Sequence, residues 1–519
     1  MVRSIGDMKR LWLIGICLAL DFVPGSAMAG RSAVTQTSAP AALVLRQAFD
    51  AMGGRGRLVA LRSLKLELQA VSYRIDDSER ADGSPWLNVS SGIEYRDEEA
   101  GRSRLTVDVN SAQWSTKTDV IDDGHVAVSG TSGQFGTFWN ARPSLGERVA
   151  LSPERILLAA EASDDLHREP DVTLFGTSHR VLAFTWRSFP VHLFIDTTSH
   201  LLQRMETTRS WAPDQLSAML GDITWRTDYL FYRHEPDGLT YPWQQNTFRD
   251  GAPYQTLVVH GLQENPLSVD DRFTPTAEGR DAVAKLRVIP YDDAPIAIPA
   301  TGDAVTLVAP GVWVIAGNWN VLVVRQSDGL VVIEAPQSSG YSEKVLALLA
   351  QRFPGKKVKA VISTTDSLWH YAGLRSYVAR GIPIYALDLS VPRLRAFFER
   401  PRRFVPDELA RRPRIPLLRP VGGRTLIGTG AQRIELYPIG GSGDARMVMA
   451  YLPGLKLLYG SSNDYNKVLD RDTFNFFELV RKVDELHLSV ADYVAIHTDK
   501  MPWSDVRAIA LEKRPIGSN

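Results

Sequence analysis

Cysteine is almost absent from this chain: Cys17 is the single one in 519 residues. It lies in an apolar run, Leu11 to Leu20, that follows Arg3, Lys9 and Arg10 and precedes the small-residue site Ala27-Met28-Ala29. That order is the order of a secretory signal peptide cleaved after Ala29, and the run is too short for a comfortable membrane span. Ile16, just before Cys17, is not the small residue that lipid attachment requires. Cleavage removes the only thiol, so the mature protein is expected to have no disulfide and no thiolate ligand or nucleophile. A periplasmic or secreted location is expected, with no stable transmembrane span once the leader is gone. An excess of either charge is also missing. Lys plus Arg and Asp plus Glu each number 59, which gives no reason to expect nucleic acid or an acidic surface as partner. Internal repeats, coiled-coil heptads and a Gly-x-Ser-x-Gly nucleophile elbow are absent too.

What is present reads as ordinary globular protein, long enough for more than one domain. Residues 30–280 are expected to form the first. Leu43 to Met52 reads as a short helix, and Pro153 to Ala162 as a second. The rest is β in pattern: Leu64 to Leu68 and Leu105 to Val109 alternate apolar and polar residues, as a half-buried sheet requires. Asp237-Gly238 and Asp250-Gly251 are hairpin signals between strand-like runs. A mostly antiparallel half-barrel follows from this layout, which is similar to that of lipoprotein-carrier-like domains. Seven tryptophans fall here: Trp86, Trp114, Trp139, Trp186, Trp211, Trp225 and Trp243. They either fill the concave face as core or line a groove for a small-molecule or lipid-like ligand. Residues 281–301, rich in Pro, Ala and Asp, read as a linker.

From about Gly302 the pattern changes. Val305 to Val308, Val312 to Ile315, Val321 to Arg325 and Leu330 to Glu334 read as strands, the last two as a hairpin closed at Ser327-Asp328-Gly329. A helix capped by Ser342 follows. The apolar strand Val358 to Ser363 then runs into a polar loop and a helix-like segment, Leu374 to Arg380. Arg400 to Pro416 is strongly basic and reads as a solvated helix and loop. Arg433 to Ile439, Met447 to Leu452, Lys456 to Tyr459 and Tyr493 to Ile496 are further strands, and Phe474 to Val483 is a helix.

The loop after Ser363 reads Thr364-Thr365-Asp366-Ser367-Leu368-Trp369-His370-Tyr371-Ala372-Gly373. It resembles the metallo-β-lactamase signature, in which a strand ends in Thr-His-x-His-x-Asp-His-x-Gly-Gly. Pro310-Gly311-Val312-Trp313, Ile333-Glu334-Ala335-Pro336, Tyr451-Leu452-Pro453 and Ile496-His497 match further points of that family. The resemblance covers roughly Gly302 to Arg507 and implies the αββα sandwich of the metallo-β-lactamase fold over residues 302–519.

It also implies where zinc would be held, and most of those positions have changed. The first metal's three histidines fall on Thr365, Ser367 and Gly443. The second metal's two aspartates fall on Trp369 and Ser462, while His370 and His497 remain. Neutral hydroxyls and an indole are poor zinc ligands. Three readings stay open at this point. The domain is a degenerate relative, a pseudoenzyme that binds a ligand or partner without hydrolysis. Alternatively, a metal site is rebuilt from His370 and His497 with Asp366, Asp464 or Asp499. In the third, His370 or His497 acts as general base on Ser367 or Ser462 without a metal.

Overall fold

The computed structural model describes residues 40–512 except 79, 112–114, 123–126, 132–133, 137–148, 211–214, 267–272, 275–276, 278–304, 318, 442–444 and 463–474. The leader, the linker 281–301, Gly443, Asp464, Trp114, Trp139 and Trp211 therefore lie outside the described residues. Among those described, no helix is long and apolar enough to cross a membrane.

The first part of the chain builds one antiparallel sheet of thirteen described strands. Its first strand, Ser63–Ser78, pairs with the second, Pro85–Asp97, and also with the last, Ala252–Glu264. The meander thus closes back on its own beginning. Alternation at Leu64, Leu66 and Leu68 turns these side chains into the core, where the helix Ala41–Ala51 contributes Val44, Leu45, Ala48 and Phe49. The helix Pro153–Glu161 adds Ile156, Leu157 and one buried charge network. In that network Arg96 lies between Glu94 (3.1 Å) and Glu154 (2.6 Å), and Arg155 pairs with Glu98 at 2.7 Å. Burial, reinforced by Glu154, pushes the Glu98 carboxyl up to about 8. The four described tryptophans are neither buried core nor a bare apolar groove. Trp86, Trp186, Trp225 and Trp243 are half-buried, and each has a guanidinium over its ring, from Arg74, Arg187, Arg209 and Arg233 respectively. Cation–π contact and coverage by an arginine stem suit a ring with one wet side.

The second part has two sheets. Val305–Ala309, Val312–Ile315, Val321–Gln326 and Gly329–Ile333 form an antiparallel meander. Val358–Ser363, Ile384–Leu387 and Leu418–Val421 extend it in parallel. A six-stranded sheet follows, from Thr425–Ile427 to Met501–Pro502. The apolar runs are continuous because both faces are covered. Leu322, Val324, Val331 and Ile333 meet Ile434, Leu436, Val448 and Leu457 in a core shared by the two sheets. Val321, Val323, Leu330 and Val332 face the other way, onto Tyr341, Val345 and Leu349 of the helix Ser339–Arg352. On the far side, Met449, Tyr451 and Leu458 pack against Phe476 and Leu479 of Asn475–Glu485 and Val506 of Trp503–Glu512. The order of layers is helix, sheet, sheet, helix. The cap of Ser339–Arg352 is Ser338, whose hydroxyl accepts from the Tyr341 N–H at 3.2 Å. Ser342, expected in that role, lies one turn inside.

The basic run also departs from expectation, because two of its arginines are docking groups rather than solvated charges. Arg402 Nη1 donates to the Ala218 carbonyl at 2.9 Å and Nη2 to that of Met219. Arg400 Nε donates to Leu220 at 2.7 Å. These carbonyls end the helix Gln215–Leu220 of the first part, where orphan acceptors and the dipole favour cations. Asp407 anchors the network from the other side, taking Arg375 at 2.6 Å and Arg402 at 3.2 Å. Burial opposes its charge, but the hydrogen bonds from Arg375 and the charges of Arg402 and Arg375 outweigh burial and hold it at about 2. Arg402→Met is expected to cost about 1.5–3 kcal/mol, the worth of a charged hydrogen-bond donor to buried acceptors. Urea unfolding checks this, and a loss under 0.5 kcal/mol would show that the docking does not depend on Arg402.

Candidate functional site

The site forms where strand ends from both inner sheets meet. Gly329–Ile333 is fully buried, and Glu334 follows it with a left-handed φ of 78°. Its N–H donates to the Ile362 carbonyl at 2.9 Å, which fixes the turn to the neighbouring strand. The same turn is laced to the short helix Leu368–Tyr371. Ala335 N–H donates to the His370 carbonyl at 3.2 Å, Gln337 N–H to that of Trp369 at 2.9 Å, and Gly373 N–H to that of Ala335 at 2.8 Å. Glycine is required at 373 because a Cβ there would stand 2.1 Å from the Ser342 hydroxyl and 2.7 Å from the Ser338 carbonyl. From the second sheet, Val448 N–H donates to the Thr364 carbonyl at 2.7 Å. Ser461 turns with a left-handed φ of 61° after Leu457–Tyr459. Its hydroxyl lies 2.6 Å from that of Thr364.

These constraints bring three side chains into a row. Ser462 Oγ lies 3.2 Å from His370 Nε2. On the other side of the ring, Nδ1 is 3.7 Å from Glu334 Oε2, outside hydrogen-bond distance. Both of these atoms are buried, and neither has a hydrogen-bond partner among the described residues, so a small closure would satisfy both. Glu334 Oε1 accepts from the Thr364 hydroxyl. Burial pushes the Glu334 carboxyl up to about 8 against the pull of that hydrogen bond. His370 is held well below its ordinary value by burial and by the charges of His497 and Arg446, which keeps the imidazole neutral and its lone pair available.

The other expected residues fall around this row. His497 is exposed, its ring edge-on to that of His370 with centroids 6.1 Å apart. Trp319 lies 5.9 Å from His497 and stacks on Trp369 at 6.4 Å. Ser367 is at the start of the short helix, where its carbonyl accepts from His370 N–H at 3.0 Å; the hydroxyl placed at His370 Nε2 is that of Ser462. Asp366, a candidate metal ligand by sequence, serves another purpose here. It is buried, with Arg446 Nε at 2.6 Å, Arg393 Nη1 at 2.8 Å and the Ser78 hydroxyl at 3.2 Å. Ser78 ends the first strand of the N-terminal sheet, and Arg446 Nη1 also donates to its carbonyl at 3.2 Å. Asp499 is exposed. The residue that sequence reasoning missed is Glu334, read there only as part of a family turn. A carboxyl closing a wholly apolar strand was the available signal, because a buried acid needs a partner.

The donor set does not fit a zinc ion. Two imidazoles are present, but His370 has Ser462 at Nε2 and Glu334 at Nδ1, and Glu334 is neutral below about 8. Arg446 Nη2 lies 3.5 Å from the Thr365 hydroxyl, and its fixed charge repels a second cation there. Among the described residues no group of three or more His, Cys, Asp or Glu side chains is placed to hold a metal.

Neither a family model nor a curated protein matches this chain. Among solved structures, one of TMB-1, a metallo-β-lactamase studied for residues governing substrate and inhibitor binding, is similar in part. The two are 17% identical with a TM-score of 0.31, over 40% of this chain and 94% of that one.

Proposed function

We propose that this is an exported protein of the metallo-β-lactamase fold whose pocket works without the family's metals, as a serine-dependent hydrolase of activated carboxylic esters or thioesters. The observation that carries this reading is the row Ser462–His370–Glu334. The layer order and the motifs around Pro310, Glu334, Tyr451 and His497 support the family reading. The leader sequence supports export.

In the reaction, Ser462 Oγ attacks the carbonyl carbon while its proton passes to His370 Nε2. Once ionised, above about 8, Glu334 accepts from Nδ1–H and steadies the imidazolium, the role of the third member in such a triad. As the carbon–oxygen or carbon–sulfur bond breaks, Nε2 returns the proton to the leaving atom. Water, deprotonated by the same nitrogen, then releases the acid and restores the Ser462 hydroxyl.

A second reading is ligand binding without turnover. It is favoured by the 3.7 Å gap at Nδ1 and by a Glu334 that is uncharged at neutral pH, which leave an imidazolium without a counter-charge. A fluorophosphonate probe separates the two. Hydrolysis predicts an adduct on Ser462 at pH 8.5, seen by peptide mass spectrometry, unaffected by chelator and lost in His370→Ala. No adduct on Ser462, or labelling indifferent to His370→Ala, would leave the binding reading in place. An esterase activity lost to chelator and restored by zinc would overturn both.

A further inference from the structure

Arg400 and Arg402 account for only part of the basic run. Beyond them stand Arg411, Arg412, Arg414 and Arg419, all exposed. Glu408 pairs with Arg412 at 3.3 Å and Arg411 at 4.0 Å. Among the described residues no carboxylate forms an ion pair with Arg414 or Arg419. The equal numbers of acidic and basic residues in the whole chain hide this local excess. Between the same arginines lie Ile415 and Leu417, 81% and 43% exposed, and Ile415 is the most exposed large apolar side chain among the described residues. A single exposed aliphatic residue is ordinary; two set among unpaired cations are not. The segment is also held in place. Asp407 caps the helix Glu408–Arg411 through Ala410 N–H at 2.9 Å, and Leu409 is buried. At the other end Leu418–Val421 is the edge strand beside Ile384–Leu387, and Ile384 N–H donates to the Leu417 carbonyl at 2.9 Å. Pro413 and Pro416 fix the backbone between these anchors. Arg414 lies across Gly381, where a Cβ would stand 2.2 Å from its Nη1. The aliphatic side chains are therefore presented outward by a braced loop.

We propose that residues 411–419 dock the protein on the surface of a bilayer containing anionic phospholipid. The arginines meet the headgroup phosphates, and Ile415 and Leu417 enter the acyl boundary just beneath them. Arginine suits this level because its stem lies along apolar surface while its head stays with the phosphates. An acidic peptide or a nucleic acid would satisfy the same charges but leave both aliphatic side chains against polar groups or water, so the pairing of the two residue types favours the bilayer. This docking does not depend on the chemistry at Ser462.

Flotation of the full chain with vesicles tests the docking, using phosphatidylcholine alone or mixed in equal parts with phosphatidylglycerol. The charged vesicles should bind the protein, the neutral ones should bind it at least about tenfold more weakly, and binding should fall as salt rises from about 0.1 to about 0.5 M. Replacing both unpaired arginines, Arg414→Gln with Arg419→Gln, should weaken it about 25-fold, at about fivefold for each cation near the surface. Ile415→Ser should weaken it about tenfold through the loss of one buried aliphatic side chain. All three positions are exposed, so the midpoint of urea unfolding should stay unchanged in both variants and a folding artefact is read separately. Equal binding to the two kinds of vesicle, binding to neither, or unchanged affinity in either variant would overturn the docking. Binding that soluble polyglutamate abolishes and that is indifferent to Ile415→Ser would assign the arginines to an acidic polymer instead, and would overturn it too.

Discussion

Asp366→Ala is expected to lower the free energy of unfolding by about 3–5 kcal/mol, because it leaves two guanidinium groups without their shared carboxylate. Arg446 and Arg393 reach it at 2.6 and 2.8 Å. Arg446 is buried, so water cannot replace the lost partner there. The effect should reach beyond the loop. Arg446 also holds the Ser78 carbonyl and lies over the Trp86 ring with 5.5 Å to the centroid. Arg80 bridges to Ala445, and Ala81 joins the core shared by the inner sheets. Hydrogen exchange around Ser78 and Trp86 should therefore quicken in the variant. Asp366→Asn, which keeps the shape and one acceptor, should fall between wild type and alanine. Urea unfolding measures the first effect, and an Asp366→Ala loss below 1 kcal/mol would show that the two parts are not joined through this residue.

Glu334→Gln is expected to remove a fall in stability at alkaline pH. The Glu334 carboxyl is raised from 4.5 to about 8 in the folded chain. Between those values the unfolded chain releases its proton and the native one keeps it, so stability is full below 4.5 and declines as pH rises toward 8. The slope is about 1.4 kcal/mol per pH unit, which places the decline from pH 6.5 to 8 at about 2 kcal/mol. His370 acts in the opposite direction: depressed below 6.5, it contributes stability present above that value and lost as pH falls. Glu98, also raised to about 8, has the same sign as Glu334, so the informative quantity is the difference between wild type and variant. Glutamine fits the site. Its oxygen can accept from Thr364, and its amide can donate to the unpartnered His370 Nδ1. Wild type and Glu334→Gln should diverge by about 2 kcal/mol over that interval, and parallel pH profiles would refute a buried neutral Glu334. Chemistry should respond inversely. Labelling of Ser462 should rise as Glu334 ionises through about 8 and stay flat in Glu334→Gln.

Much of the second part was legible because its strands are buried on both faces and leave continuous apolar runs, as at Leu330 to Ile333. The N-terminal sheet was most legible where one face is sealed, as at Leu64 to Leu68. Its first strand extends to Ser78, but over residues 71–74 both faces are partly accessible and the alternation at Leu64 to Leu68 fades. The Ser342 cap was displaced by one turn because serines at 338, 339 and 342 all satisfy the local rule, and only the path of the incoming chain selects among them. Arg400 and Arg402 looked solvated because their partners, the carbonyls of 218–220, are nearly two hundred residues away.

The sequence by itself determined the apolar framework of the second part, since it is written in residue type and local spacing. Tertiary structure alone decided which of the remaining polar groups meet. Ser462, His370 and Glu334 sit on three separate segments, joined by strand-end hydrogen bonds that no local pattern encodes. Asp366 could equally have been a ligand until Arg446, Arg393 and Ser78 closed around it. A buried carboxyl takes its function from whatever partner packing delivers, and for Asp366 that partner was a pair of guanidinium groups, for Glu334 a neutral imidazole.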